Sequence, residues 1–545
     1  MPNQMSSFST SQPTPLSSRW HFIRNALLIV ALVIMTGHVL IYLAFGASLI
    51  PFPFDYDQGE GFELNTTILL AQGQCPYCDN NTFPFYTSNY TPFFHILMVP
   101  FMWLFGADYW YGRLIIFGAT LLTACLIAWA IQRETRQRPI ALLAGMAFLA
   151  SNYIYHNAPL LRQHLFMVML ETLAVVILAA AFDNTGKNRH KSLFIGFLIL
   201  LCAGYTKQLA AYTCIAVAIW LILRQPRLIL LYGSGLAVAA AAIFAVALLL
   251  TDGNWWVNII ASNQNAYQTE QFVGLLRQFL RLHWALILPA SLLILYELYF
   301  ARLSLYTIWF IVSFIATIGA GKWGAGDSYF ATTIASLCIL AGIFTARCWN
   351  QAWVFPKNYL TRRFSASISP SLWAFISVIS LALWLIYGST VIKFPTSGAI
   401  FEPLAKLLNI TPAPGHRYPL YDAAGWTVGY AVTGHFVSEE DYLNGWAIVE
   451  RVRNAPGHIL SEDAGFAIQA GRIVVNNTTQ LRNLWESGHF DPAAMIQMIK
   501  NHEFGLIIRR ADFYPPPVLD AINAYYRKDT IIPMNGFEYQ LWIPR

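Results

Sequence analysis

Four carboxylates, Asp55, Asp57, Glu60 and Glu63, fall within nine residues directly after a long apolar run. Carboxylates are expensive to hold beside hydrocarbon, so such a cluster either ends a helix in water or supplies a proton acceptor. The opposite charge recurs at the ends of other apolar runs, as Arg113, Arg162, Lys207 and Lys322, in turns with little else polar. One such cation alone fits a side chain reaching from an apolar surface to water. Together with the acids they suit an anionic lipid head group, a phosphate or pyrophosphate, held by Arg and Lys beside a carboxylate base.

Membrane-spanning helices must position this set. The 545 residues are 56% hydrophobic and 11% charged, with a mean hydropathy of +0.47. Soluble proteins average about 25% charged residues, so the composition belongs to the membrane class. The formal charge of +6 lies in short loops between apolar runs rather than in a patch, which argues against a nucleic-acid partner. Cys125, Cys202, Cys214, Cys338 and Cys348 lie in or beside apolar segments, where a thiol acts as a small hydrophobe. Cys75 and Cys78 lie in a polar loop without a second pair at metal-ligand spacing, so they read as a local disulfide or two free thiols rather than a zinc site.

Apolar runs at 25–50, 112–132, 139–155, 165–182, 192–206, 209–223, 228–250, 284–299, 304–321, 329–346 and 370–391 predict about 11 spans. With a cytoplasmic N-terminus, Arg133, Arg136 and Arg138, then Lys187, Arg189 and Lys191, then Arg224 and Arg227 all fall inside. Arg302, Arg347, Lys357, Arg362 and Arg363 do so too, as the positive-inside rule requires. A further run at 92–106 is too short to span and would invert the first basic loop. It is predicted as an interfacial or re-entrant helix on the outer face, with Trp103 as an anchor.

The expected organisation is a disordered cytoplasmic N-terminus (1–24), a transmembrane catalytic domain (25–391) and an extracytoplasmic soluble α/β domain (392–545). The first outer loop (51–111) would carry interfacial helices. In the tail, 442–455, 492–502 and 517–528 read as helical, and 458–461, 472–475, 504–509 and 538–543 as extended.

Asp57-Gln-Gly-Glu60-Gly61, Gly73-Gln-Cys-Pro76-Tyr77, Asn89-Tyr90-Thr-Pro92, Leu104-Phe-Gly106 and Gly112-Arg113 resemble the first periplasmic loop of the polyprenyl-phosphate-sugar glycosyltransferases. These are GT-C fold enzymes related to protein O-mannosyltransferases and aminoarabinose transferases. Tyr205-Thr-Lys207-Gln208 and Gly326-Asp327-Ser328-Tyr329-Phe330 extend the likeness over most of 25–391. The resemblance implies a polytopic GT-C-like helical fold and an inverting hexosyl or pentosyl transfer from a polyprenyl-phosphate sugar. The acceptor would be a hydroxyl of an unidentified glycan, lipid or protein on the extracytoplasmic face of the plasma membrane. Asp57 would be the general base, Glu60 would orient it or the sugar, and Asp55 would be the alternative base. Arg162 and Lys207, then Arg113 and Lys322, would meet the donor phosphate. Tyr77, Tyr90, His164, Gln208, Asp327 and Tyr329 would bind sugar or acceptor.

Two departures bear on these roles. Gln58-Gly59 interrupts the usual Asp-Glu pair, and Arg162-Gln163-His164 replaces an Arg-x-Asp that relatives often carry. No cofactor is required; a divalent metal is allowed but less expected where His164 stands for a carboxylate. The chemistry is consistent without the family name, because a lipid-linked sugar phosphate needs a base for the incoming oxygen and cations for the departing phosphate. The rival reading is a transporter or flippase for a lipid-linked or small anionic solute, which calls for midplane charges and an internal repeat. Its candidate acids, Glu171 and Glu297, are predicted near helix ends, and no repeat is evident.

Overall fold

The computed structural model describes residues 18–182, 186–354, 370–412, 419–425 and 434–545. Residues 1–17, predicted as disordered, and the basic residues Lys357, Arg362 and Arg363 lie outside the described residues.

Each predicted apolar run lies in helix. Among the described residues, 7 helices are long and apolar enough to cross a membrane: Ser18–Leu49, Trp110–Thr135, His164–Ala181, Pro226–Leu250, Thr269–Phe300, Asp327–Asn350 and Ser371–Thr390. Arg138–Ala150, Gln208–Arg224 and Leu305–Gly321 are shorter apolar helices, and Gly186–Gly204 opens on Lys187, Arg189 and Lys191. The first helix starts at Ser18, so residues 18–24 are helical rather than disordered. Arg24 explains the extension: its guanidinium stacks 3.7 Å over Trp349 and donates to the Trp349 carbonyl at 3.1 Å. The helix predicted from 284 begins at Thr269. Glu270, Arg277 and Arg281 hide this stretch from hydropathy, while Leu275, Phe279 and Leu282 supply its buried face.

Helices that alternate in direction gather their connections at two ends. At one end, Phe93 N donates to Tyr205 O at 2.8 Å and Trp323 N to Ala266 O at 2.8 Å. There too the Tyr153 hydroxyl donates to Leu275 O at 2.7 Å and Lys393 Nζ to Ala150 O at 2.6 Å. At the other end, Asn350 Nδ2 donates to Thr135 O at 2.9 Å and Arg224 Nη2 to Leu303 O at 2.8 Å. The acidic loop belongs to the first end; Arg133, Arg136, Arg138, Lys187, Arg189, Lys191, Arg227, Arg302 and Arg347 belong to the second.

Two short helices, Glu60–Ala71 and Phe93–Phe105, pack together at the acidic end. The 13 residues of the second reach only about 20 Å at ~1.5 Å per residue. Its Trp103 Nε1 donates to Ala71 O at 3.0 Å, and Trp103, Leu104 and Phe105 are exposed. Cys75 and Cys78 form a disulfide between these helices.

The C-terminal region carries strands β1 (Lys393–Pro395), β2 (Leu420–Asp422), β3 (His458–Ser461), β4 (Phe504–Arg509), β5 (Tyr526–Met534) and β6 (Phe537–Pro544). β1 and β2 form an antiparallel pair, and a second sheet has the order β3-β4-β6-β5, parallel only between β3 and β4. Two expectations are corrected. Arg472–Val475 is irregular and leads to a single bridge between Asn476 and Phe85, because it pairs with the first loop rather than the sheet. The helix predicted over 517–528 ends at Tyr525, and Tyr526 starts β5. β5 is an edge strand whose Arg527, Lys528 and Asp529 are exposed, so it lacks the alternation of a half-buried strand. It turns into β6 through Asn535 and Gly536, with φ of 48° and 73°, the Asn-Gly pattern of a tight hairpin.

Candidate active site

The chain reverses at Asp57-Gln58-Gly59-Glu60, where Gly59 takes a φ of 105° that favours glycine before helix Glu60–Ala71. Glu60, fully buried, accepts from the backbone N–H of Tyr56 at 2.9 Å, Asp57 at 3.3 Å and Leu161 at 2.6 Å. Arg113 grips both its oxygens at 2.9 Å and donates to the carbonyls of Leu49, Phe52 and Phe54. Burial pushes the Glu60 carboxyl up, and the Arg113 guanidinium more than offsets this, holding it below the usual range. Neither residue lines the two cavities described below. Arg113 therefore has no donor left for a phosphate, and Glu60 no lone pair for a sugar; together they latch the loop.

Asp55 has a similar fate. It accepts from Gly61 N at 2.6 Å, Gly465 N at 2.8 Å and the Tyr109 hydroxyl at 2.9 Å, joining the acidic loop to the C-terminal region. A Cβ on Gly465 would lie 2.4 Å from Asp55 Oδ2, so this approach requires glycine. Burial, then Asp463 and Glu60 nearby, push the Asp55 carboxyl up to about 7.

Asp57 is bound less completely than Asp55 and Glu60. Its Oδ2 lies 2.7 Å from Arg162 Nη2, whereas its Oδ1 has no hydrogen-bond partner among the described residues. Burial raises its pKa despite Arg162, which makes the carboxylate a stronger proton acceptor. Arg162 also donates to the Gln58 carbonyl. It stands between two cavities that share Gln58, Asn157, Ser328, Thr479 and Gln480. The larger, of about 380 Å³, is lined by Asp57 and Asp327, and the smaller, of about 80 Å³, by Glu63, Tyr90, His164 and Lys207.

Lys207 is the buried cation of the smaller cavity. Its Nζ donates to His164 Nδ1 at 3.0 Å and sits 4.6 Å over the Tyr90 ring and 5.5 Å over the Tyr329 ring. Burial lowers its pKa to about 7; Glu63 opposes the shift and Arg162 adds to it. Among the described residues this ammonium makes no ion pair, and an incoming anion would supply one. Asp327 Oδ1 accepts from Asn157 Nδ2 at 2.9 Å.

The remaining candidates stay outside both cavities. Tyr329 packs behind Lys207. Tyr77 donates to the Tyr90 carbonyl at 2.8 Å and packs on Trp255, so it supports Tyr90 from behind. Gln208 is consumed by the carbonyls of Asn89 at 3.1 Å and Ile259 at 3.2 Å. Lys322 is exposed and makes one long contact, 3.5 Å, to Asn263 O. Glu171 lies well inside helix His164–Ala181, not near its end, where Thr213 and Thr332 donate to it at 2.6 and 2.7 Å. Glu297, near its helix end as expected, caps Ser304 N at 2.7 Å.

Sequence reasoning missed Gln58, Asn157 and Ser328, and the contribution of Thr479 and Gln480 from the C-terminal region. Neutral polar residues on distant segments carry no charge pattern that marks them. Among the described residues, no group of three or more His, Cys, Asp or Glu is placed to hold a metal ion. The position beside Asp57 is filled by a guanidinium, so these donors do not fit a divalent cation.

No protein-family model matches the chain, and no curated protein matches it significantly. Among solved structures it is similar to ArnT from Cupriavidus metallidurans bound to undecaprenyl phosphate, at 12% identity and a TM-score of 0.57 over 96% of this chain and 98% of that one. The chain has a GT-C fold. Apo ArnT matches at 13% identity and a TM-score of 0.53 over 93% of this chain and 98% of that one. The Archaeoglobus fulgidus oligosaccharyltransferase AglB, in complex with an inhibitory peptide and a dolichol-phosphate, matches at 11% identity and a TM-score of 0.49 over 96% and 74%. The GT-C likeness to ArnT runs through the C-terminal region as well as the helices, since it covers nearly the whole of both chains.

Proposed function

We propose that this chain is a multi-pass glycosyltransferase that moves a sugar from a polyprenyl phosphate to an acceptor hydroxyl. The observation that carries this reading is the Asp57–Arg162 pair, 2.7 Å apart, at the junction of a cavity holding buried Lys207 and a larger one beside it. The GT-C fold supports it, as does the undecaprenyl phosphate bound to the ArnT of similar fold. We read 11 spans, with the acidic loop and residues 392–545 extracytoplasmic, because the basic loops cluster at the opposite end.

The acceptor hydroxyl gives its proton to the Asp57 carboxylate. Its oxygen bonds to the anomeric carbon as the bond from that carbon to the phosphate oxygen breaks on the opposite face, inverting the centre. The phosphate leaves with the bonding pair, and Arg162 and Lys207 meet its charge. Glu60 and Arg113 hold the loop, so they act through Asp57 rather than on substrate.

Lys207 gives the test. A phosphodiester donor keeps one charge across the neutral range, whereas Lys207 loses its own above about 7 when the site is empty. Donor affinity is therefore expected to fall by up to tenfold per pH unit between that value and the higher pKa of the occupied site. Lys207→Arg, charged throughout, is expected to flatten the profile. Parallel profiles for the two proteins would show that Lys207 does not meet the phosphate.

A further inference from the structure

Resting on the reading of Asp57 as the base, we propose that Tyr56 and Thr478 are positioning residues through which the C-terminal region fixes Asp57 for proton transfer. The two chain neighbours of Asp57 are held from different C-terminal segments. On one side the Tyr56 hydroxyl donates to His435 O at 2.8 Å and accepts from Gly434 N at 2.9 Å. The Tyr56 and His435 rings pack with centres 5.0 Å apart. Gly434 is itself tied to the helical region, since its carbonyl accepts from the Tyr155 hydroxyl at 2.8 Å. On the other side Gln58 Nε2 donates to Thr478 Oγ1 at 3.3 Å. The Gln58 carbonyl accepts from Arg162, the ion-pair partner of Asp57. The same grip reaches further back along the loop, where Asp55 O accepts from Asn535 Nδ2 at 3.2 Å and Pro53 O from Gln469 Nε2 at 3.0 Å.

Burial assigns these contacts to placement rather than to substrate. Tyr56 is 1% exposed and Thr478 0%, and neither lines the two cavities, so neither meets an occupant. They reach the chemistry through Asp57 and, by way of Gln58, through Arg162. Glu60 already holds the backbone N–H groups of Tyr56 and Asp57. A chain pinned at one carboxylate keeps a rotation about that point, and an anchor on each flank removes it. The freedom matters because a misplacement of about 1 Å at a reacting group can cost on the order of 10²-fold in rate. The anchor on Gln58 also borders the substrate. Helix Thr478–Glu486 starts at that anchor, and its next two residues, Thr479 and Gln480, wall both cavities. The C-terminal region is therefore part of the catalytic site's framework.

A double-mutant cycle on the full chain in lipid nanodiscs tests this. The probes are undecaprenyl-phosphate-linked glucose, galactose, mannose and aminoarabinose, and release of undecaprenyl phosphate is measured. Water, which Asp57 would deprotonate in the same way, serves as acceptor. Tyr56→Phe and Thr478→Val each keep the side chain's shape and remove one hydrogen-bonding atom. Each is expected to lower turnover about tenfold in the parent but by less than about twofold on the Asp57→Asn background, where the group they place is gone. Thr478→Ser keeps the hydroxyl and is expected to stay within about twofold of the parent. Unchanged turnover in both single variants, an equal fall on both backgrounds, or a Thr478→Ser variant as slow as Thr478→Val overturns the positioning role and leaves the transferase reading standing. Full turnover by Asp57→Asn alone, or no release from any donor by the unmodified protein, would instead count against the transferase reading.

Discussion

Asp57→Asn is expected to lower turnover by about 10²–10⁴-fold, the usual worth of a general base, while the protein stays folded. Asn matches Asp in shape and can still accept from Arg162. The lost ion pair involves an Arg162 side chain that is 33% exposed, so its contribution to stability is about 0–1 kcal/mol. Removing the negative charge also ends its competition with the phosphate for the Arg162 guanidinium, so affinity for the donor phosphate should hold or rise. The expected signature is thus a split: turnover collapses and donor binding does not. Release of undecaprenyl phosphate from the lipid-linked sugar, together with binding of undecaprenyl phosphate, measures both sides. Unchanged turnover would remove Asp57 as the base. Loss of binding together with turnover would mean that the carboxylate organises the donor site instead.

The second large effect falls on stability. Glu60 and Arg113 are both fully buried, and each is the other's counter-ion. Removing one partner strands a buried charge, a loss of about 3–5 kcal/mol in a fold whose total stability is ~5–15 kcal/mol. Arg113→Ala additionally abandons the carbonyls of Leu49, Phe52 and Phe54. Both Glu60→Ala and Arg113→Ala are therefore expected to lower the thermal midpoint sharply and the monodisperse fraction on size exclusion. Should Arg113→Ala remain as stable as the parent and lose only phosphate binding, the latch would be the wrong description and Arg113 a donor ligand.

The helical scaffold was legible because hydropathy and loop charge are one-dimensional signals. Even there, polar residues hid the first turns of the helix at Thr269 and the stacking partner of Arg24. The acid cluster and its opposing cations were legible as a set, yet their division of labour was not. Spacing says that Asp55, Asp57 and Glu60 are neighbours; it does not say that Arg113 turns to Glu60 and Arg162 to Asp57. That choice follows from helix packing, which also buries Asp55 against Gly465 from the far end of the chain. In the tail, Asn535-Gly536 was a readable hairpin signal, but the exposed charges of β5 masked the strand before it. The amides that line the larger cavity had no signature, because a neutral side chain becomes informative only when its partners are known.

Electron cryomicroscopy of the chain with undecaprenyl phosphate in nanodiscs tests the central claim most directly. The phosphorus atom should lie within about 4 Å of Lys207 Nζ and the Arg162 guanidinium, in the smaller cavity, with Asp57 lining the larger one. Density for the phosphate at the opposite end, beside Arg133 or Arg189, would contradict it.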